Sequence, residues 1–369
     1  MHLLKSPFPI FTPNSTKPTK HSTRTRLSIK PPPPEFNFKS EISSGSRAFI
    51  SEMHPELLDL ADEGSLVVIR KSQFGPVPEW RSEFVEPEVI WLLGTNHVSE
   101  KSAVDVERVV KVVRPDNVVV ELCRSRAGIM YTSTDTEVEP RLKSNPFSLS
   151  GSGFFGAVGR SINLGGQTAL ALRLLLATFS SKISSNINRP FGDEFRAARK
   201  ASEEISAQVV LGDRPIEITL ERAWNSLKWS EKLSLAKVVL SGITSSTDQS
   251  KINLKESTAD DTDFQLYEQL SFSYPSLLQP LIHERDTYIA WSLKRSKAVR
   301  NGKRVVGVIG RGHLNGVIYA LISDLGDLRF RDLCGERPAT DWVNTIVKNL
   351  VRDTIIGVVI WALYEQIMN

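Results

Sequence analysis

The chain has little cysteine: two residues in 369, Cys123 and Cys334. These cannot build a disulfide scaffold or a cysteine-only zinc site, which points to a reducing or redox-neutral compartment. No uncharged apolar run reaches the roughly 20 residues that a spanning helix needs, so a multi-span membrane protein is excluded. Collagen-like, coiled-coil and knottin architectures fall on the same composition. What is present, 40% hydrophobic and 24% charged residues, suits a globular chain with one large domain or two smaller ones.

Acid is missing from one end. Residues 1–34 contain six Lys/Arg (Lys5, Lys17, Lys20, Arg24, Arg26, Lys30), nine Ser/Thr and eight Pro, with neither Asp nor Glu. Setting those six charges aside turns the net +4 into about −2 for the remainder. Such a body lacks the broad basic footprint of a nucleic-acid binder, and no nucleic-acid partner is expected. The acid-free, hydroxyl-rich start predicts a disordered, transit-peptide-like leader over residues 1–45. Pro7, Pro9, Pro13 and Pro18 would interrupt the amphipathic helix of a mitochondrial presequence, which favours a chloroplast address. A solvated basic tail with no address is the plain alternative.

Past the leader, short apolar segments alternate with helical patterns. Strands are expected at Leu66–Arg70, Val89–Gly94, Asn117–Leu122, Gln208–Gly212 and Val305–Gly310. Helices are expected at Ser99–Arg114 (with Val104, Val109 and Val113 among its apolar positions), Asp193–Ala207, Ile216–Lys228, from Pro275 to about Val299, and His313–Leu325. Residues 89–122 read as a β-α-β unit, implying a parallel pair with a right-handed crossover. The fold class is therefore α/β: a mostly parallel open sheet with flanking helices, filling residues 46–335. The string Gly151-Ser-Gly153-Phe-Phe-Gly156 matches GxGxxG, but it follows a polar loop and has no ribose-binding acid about 20 residues on, so a dinucleotide site is rejected. Thr168–Phe179 reads as a buried helix, and Thr244–Asp263 as a polar, acid-leaning surface loop.

Ligands of open parallel sheets bind outside the carboxyl ends of the strands, and the unusual polar residues fall there. His97 and His313 each lie three residues after a glycine that ends an apolar strand, and Glu121 directly follows Val118-Val119-Val120. An acid in that place is costly to bury without a partner. Two imidazoles and a carboxylate suffice for a divalent catalytic metal with an open position; they serve equally as helix caps or as members of a polar network. Arg124, Arg126, Arg214, Arg222, Arg285 and Arg311 lie at these junctions or on nearby helices. Arg126, Arg214, Arg222 and Arg311 are candidates for holding an anionic substrate group, with ion pairing to Glu121, Asp213, Glu217, Glu221, Glu284 and Asp286 as the structural alternative. Arg285 shares a helix face with Leu281, Ile282 and Ile289, so its head group needs an inward acceptor. Asp213 before Arg214-Pro215 reads as a helix N-cap.

At these residues the sequence resembles the TraB family, the TraB/PrgY/GumN proteins with the Tiki proteases as relatives. The resemblance spans Val89 to about Ile322 and rests on five blocks in order: Leu92-Leu93-Gly94-Thr95-Asn96-His97; Val118 through Arg126; Gly212-Asp213-Arg214-Pro215 with Arg222; Glu284-Arg285-Asp286; and Val306 through Gly316. It is nearest the intracellular plant and animal branch. The resemblance implies metal-dependent, peptidase-like hydrolysis of a peptide or protein substrate. His97, Glu121 and His313 become candidate metal ligands or catalytic groups, with Arg285 in support. It also implies the rival reading, a non-catalytic adaptor at organelle contacts, since some members associate with the mitochondrial outer membrane through a C-terminal segment. A metal-free esterase with His as base is a third reading. In residues 336–369, the stretch Thr354–Tyr364 is uncharged but spans only about half a hydrocarbon core. A packed or interfacial helix is expected there, with a short tail anchor as the alternative.

Overall fold

The structure is a computed structural model. It describes residues 29–77, 86–97, 99–131, 192–234, 274–295, 302–326 and 328–334. The expectations for residues before Ile29, for 151–156, 168–179 and 244–263, and for the C-terminal segment 336–369 lie outside those residues. Among the described residues no helix is long and apolar enough to cross a membrane.

The chain enters through α1 (Phe38–Glu41), α2 (Ser43–Met53) and α3 (Leu58–Asp62) before β1 (Leu66–Arg70). Then follow β2 (Val89–Thr95), α4 (Glu100–Val113), β3 (Asn117–Val120), α5 (Asp193–Glu204), β4 (Gln208–Leu211), α6 (Ile216–Ser226), α7 (Glu284–Arg295), β5 (Arg304–Gly310), α8 (Arg311–Ile322) and α9 (Phe330–Cys334). The strands form one sheet in the order β1-β2-β5-β3-β4. β1 runs antiparallel to β2, and every other pairing is parallel. The β2-α4-β3 unit is present as expected, but its two strands are not neighbours: β5 lies between them, pairing Leu93 of β2 with its Val308 and Val118 of β3 with its Val306. That insertion gathers the carboxyl ends of β2, β5 and β3 into one rim, which carries the candidate site.

Period-2 alternation divides the sheet's side chains between two cores. One face sends Leu66, Val68, Trp91, Leu93, Val118, Val120, Val306 and Val308 against α2, α4 and α5. The other sends Val67, Ile69, Ile90, Leu92, Val119, Val305 and Ile309 against α7 and α8. Helix α4 buries Val106, Val109, Val110 and Val113, whereas Val104 points outward and is 59% exposed. The 3.6-residue period puts position 104 on the opposite face from 106 and 113, so this apolar residue of the helix lies outside the core.

Three further expectations are revised. The boundary of the leader at residue 45 falls too late: Ile29, Phe38 and Ile42 are buried, and α1 and the start of α2 lie before Ser46. The Pro31–Pro34 run links these anchors; its fixed φ leaves little chain entropy to lose on ordering, and the scattered Ile and Phe supply the apolar area. The single helix expected from Pro275 is interrupted. A π-helical turn over Gln279–His283 precedes α7, and the carbonyl of Pro280 within it accepts a hydrogen bond from Arg214. Asp213 does not cap α6, whose N-cap is Pro215 without a side-chain bond; it serves two arginines instead.

Leu293 is fully buried in the core beneath β5, so Leu293→Ala should cost about 2–5 kcal/mol of unfolding free energy in urea melts. Val104→Ala on exposed α4 surface should stay within about 0.5 kcal/mol of the wild type; a large loss there would contradict the orientation of α4.

Candidate functional site

The site is assembled from turns that follow strands. The hydroxyl of Thr95 donates to the carbonyl of Ile309 at 3.1 Å, stapling the end of β2 to β5. The chain then turns sharply, with Ser102 Oγ accepting from the Asn96 amide at 2.9 Å, and presents His97 over the rim. His97 Nδ1 lies 2.7 Å from Oε1 of Glu194, a fully buried residue in the first turn of α5. The contact fixes the plane of the imidazole and turns its Nε2 edge toward the rim.

Glu121 follows β3 directly. Its Oε2 accepts the Gly310 amide at 2.8 Å, while Oε1 accepts Arg285 Nη2 at 2.5 Å and lies 3.3 Å from His313 Nε2. A Cβ on Gly310 would sit 2.8 Å from His97 Nε2 and 3.4 Å from Glu121 Oε2, so only glycine lets β5 end between the two groups. His97 and His313 thus flank one glutamate although 216 residues separate them. His313 stands in the first turn of α8, its Nδ1 held 2.6 Å from Asp286 Oδ1. Gly316, one turn further, allows that approach, because a Cβ there would collide with the Asp286 carboxylate.

Three consecutive residues of α7 serve separate sets of partners. Glu284 takes Arg214 and Arg222, Arg285 takes Asp213 and Glu121, and Asp286 takes His313. Arg285 lies 3.1 Å and 3.0 Å from the two oxygens of Asp213, and its Nη1 is 3.3 Å from His313 Nε2. Burial resists the charge on Arg285, but the carboxylates of Asp213 and Glu121 raise its pKa further. Burial alone would push the Glu121 carboxyl up, yet the charges of His313 and Arg285 hold it well below the usual carboxylate range. Burial likewise works against a charged His313, and Arg285 repels it, but Glu121 and Asp286 outweigh both and push its pKa up to about 10.

Of the arginines proposed for anion binding, two are occupied elsewhere. Arg214 is wholly buried, bonded to Glu284 at 2.5 Å, Thr219 at 2.9 Å and the Pro280 carbonyl at 2.7 Å. Arg222 grips both oxygens of Glu284. These two tie α6 to α7, which corrects their assignment to substrate: the desolvated Arg214 needs internal acceptors before it can serve a ligand, and Arg222 is committed to both oxygens of Glu284. Arg126 stays at the rim, bonded to Asp213 at 2.5 Å and to the carbonyl of Glu121 at 3.3 Å. Arg311 opens α8 with its stem against Gly94, on the side of β2. Cys123 is a small buried residue beside Leu220 and Ala223, in keeping with a packing role.

The donor chemistry of His97, Glu121 and His313 suits a divalent cation, and a carboxylate on each Nδ1 is the usual outer-shell partner of a metal-bound imidazole. Their arrangement does not fit one. The Arg285 guanidinium lies against both Glu121 Oε1 and His313 Nε2, and among the described residues no group of three His, Cys, Asp or Glu side chains is disposed to hold a metal ion. Sequence reading missed Glu194, gave Asp286 only a generic ion-pair role, and read Asp213 as an ion-pair partner or a helix N-cap. Asp286 could have been found as the third member of the Glu284-Arg285-Asp286 block. Nothing in the sequence connects Glu194 to a histidine 97 residues away.

The TraB/PrgY/gumN family model matches residues 79–321. A human TraB domain-containing protein is 27% identical over 251 residues, covering 64% of this chain and 63% of its own length. The chain therefore spans somewhat less than two thirds of that relative. A TraB domain-containing protein from Bos taurus is 26% identical over 318 residues, 80% of this chain and 81% of the relative. An uncharacterized protein of the archaeon Methanocaldococcus jannaschii is 22% identical over 288 residues, 76% and 66% of the two chains. The matched stretch contains β2 to β5 and every residue of the rim described above, and the chain belongs to the TraB/PrgY/gumN family.

Proposed function

We propose that the rim is a hydrolytic site acting on a peptide or related acyl bond with its own charged side chains. One observation carries this reading: two imidazoles, each fixed through Nδ1 by a buried carboxylate, flank a single ion-paired glutamate at the carboxyl ends of parallel strands. A hydrolase needs a base for water and a positive group for the developing oxyanion, and the surroundings of the two rings differ in that sense.

His97 is the candidate base. Glu194 fixes its ring plane, and Nε2, turned toward the rim, takes the proton of an attacking water, in the manner of an imidazole oriented by a carboxylate. Arg285 and the protonated His313 form the cationic wall that receives the carbonyl oxygen of the substrate; poorly screened by solvent, such groups act strongly and need no reorganisation. His313 then supplies the proton for the leaving group. Glu121 is too acidic to compete as a base, and it holds the two cations in place. Arg285 occupies the electrostatic position that the family resemblance gives to a metal.

Turnover of a panel of short peptides and acyl esters by the full chain tests the reading. His97→Gln and His313→Gln should each lower kcat by about 10²–10⁴-fold with the fold retained, and Arg285→Lys by about 10²–10³-fold. Chelators should leave the rate unchanged; turnover that needs an added divalent cation would contradict the cationic role of Arg285.

Stability should follow pH in a defined sense. The native state holds the His313 proton up to about 10 against an ordinary 6.5. Its contribution is therefore complete below about pH 6.5 and is lost as pH rises through about 10. Urea midpoints measured across that window should fall with rising pH in the wild type, and the slope should flatten in His313→Gln.

A further inference from the structure

Behind the His313–Asp286 pair lies a small cavity of about 10 Å³, lined on one side by His283, Asp286, Thr287 and Gly316 and bordered on the other by Lys30 and Pro32. The bordering residues belong to the N-terminal segment, which is anchored at several points. Ile29 is buried in a cluster with Tyr288, Trp291 and Leu333, and its carbonyl accepts from Gln279 Nε2 at 3.3 Å. Phe36 packs edge-on against Tyr319 of α8, with ring centroids 5.1 Å apart. Asn315, two residues beyond His313, clasps the segment with its side-chain amide. It accepts from the Phe38 amide at 3.1 Å and donates to the carbonyl of Phe36 at 3.2 Å. Phe38 and Ile42 then enter the core beside Leu314 and Val317. The four prolines between Ile29 and Phe36 act as a stiff spacer, so the segment crosses α8 at small entropic cost.

We propose that Ile29–Ile42 is a positioning strap of the site, clasped by Asn315, which excludes bulk water from the face of Asp286 turned away from His313. The inference rests on the reading of His313 and Asp286 as site groups, and it goes beyond that reading in giving the N-terminal segment and Asn315 a part in it. The opening behind Asp286 is about the size of one water. With the strap in place the buried Asp286 faces His313 on one side and that narrow cavity on the other; with the strap released, bulk water reaches the carboxylate and competes for its hydrogen bond. A cut that removes residues only before Ile29 leaves every anchor intact, whereas loss of Ile29–Phe38 removes that border of the cavity.

The test is NMR on the full chain with labelled histidine, assigned with His313→Gln. The Nδ1 proton of His313 in its 2.6 Å hydrogen bond to Asp286 is expected far downfield and slow to exchange. Asn315→Ala combined with Phe36→Ala should speed its exchange with water by about tenfold or more, while the amides of β2 and β5 stay protected. Gln279→Ala, which loosens only the Ile29 anchor, should give a smaller acceleration and guards against a double variant that fails to fold. Unchanged exchange of the ring proton, in a variant whose Phe36–Ile42 amides are demonstrably released, would overturn the proposal. The readout uses no substrate, so it can fail or succeed independently of the hydrolytic reading.

Discussion

The carboxylate of Glu121 is the constraint on which the rim depends. It emerges from a fully buried strand with no bulk solvent to neutralise it, and a lone ionised carboxylate there would be untenable. The fold answers with the Arg285 guanidinium, the His313 ring and the Gly310 amide, drawn from the starts of two helices and the end of the central strand. Arg285 in turn needs Asp213, His313 needs Asp286, and Asp213 also receives Arg126. Each buried charge calls in the next, so the site is a closed network in which removing one member leaves another uncompensated.

The order of strands makes that network reachable. Because β5 lies between β2 and β3, the turn after each of these strands opens onto the same rim. Glycine does the rest at two places: Gly310 lets β5 end between His97 and Glu121, and Gly316 lets α8 lie against Asp286. Helix α7 delivers opposite charges at successive positions, and helical geometry sends Glu284, Arg285 and Asp286 to different partners.

Much of this was legible in the residues. The strands stood out as short β-branched runs, all but the first leading into Gly or an acid, and they appear within a residue or two of their expected limits. The meeting of His97, Glu121 and His313 followed from their placement at carboxyl ends of parallel strands. Other features were not legible for physical reasons. Strand order is a tertiary property, so nothing local announced that β5 would separate β2 from β3. A proline-rich start looks unable to fold when residues are counted, yet a few apolar anchors joined by a rigid spacer suffice, as at Ile29, Phe36 and Phe38. The fate of each arginine depended on which acid lay within reach: Arg214 and Arg222 met Glu284 in the interior, while Arg126 and Arg285 met Asp213 at the rim.

A double-mutant cycle between Glu121→Gln and Arg285→Met, read by urea unfolding of the full chain, tests the central claim most directly. If the two side chains form a buried, mutually dependent pair, their effects should be strongly non-additive, with a coupling of about 2–3 kcal/mol. Additive losses within about 0.5 kcal/mol would mean that the two charges do not depend on each other, and the network built on Glu121 would not exist as described.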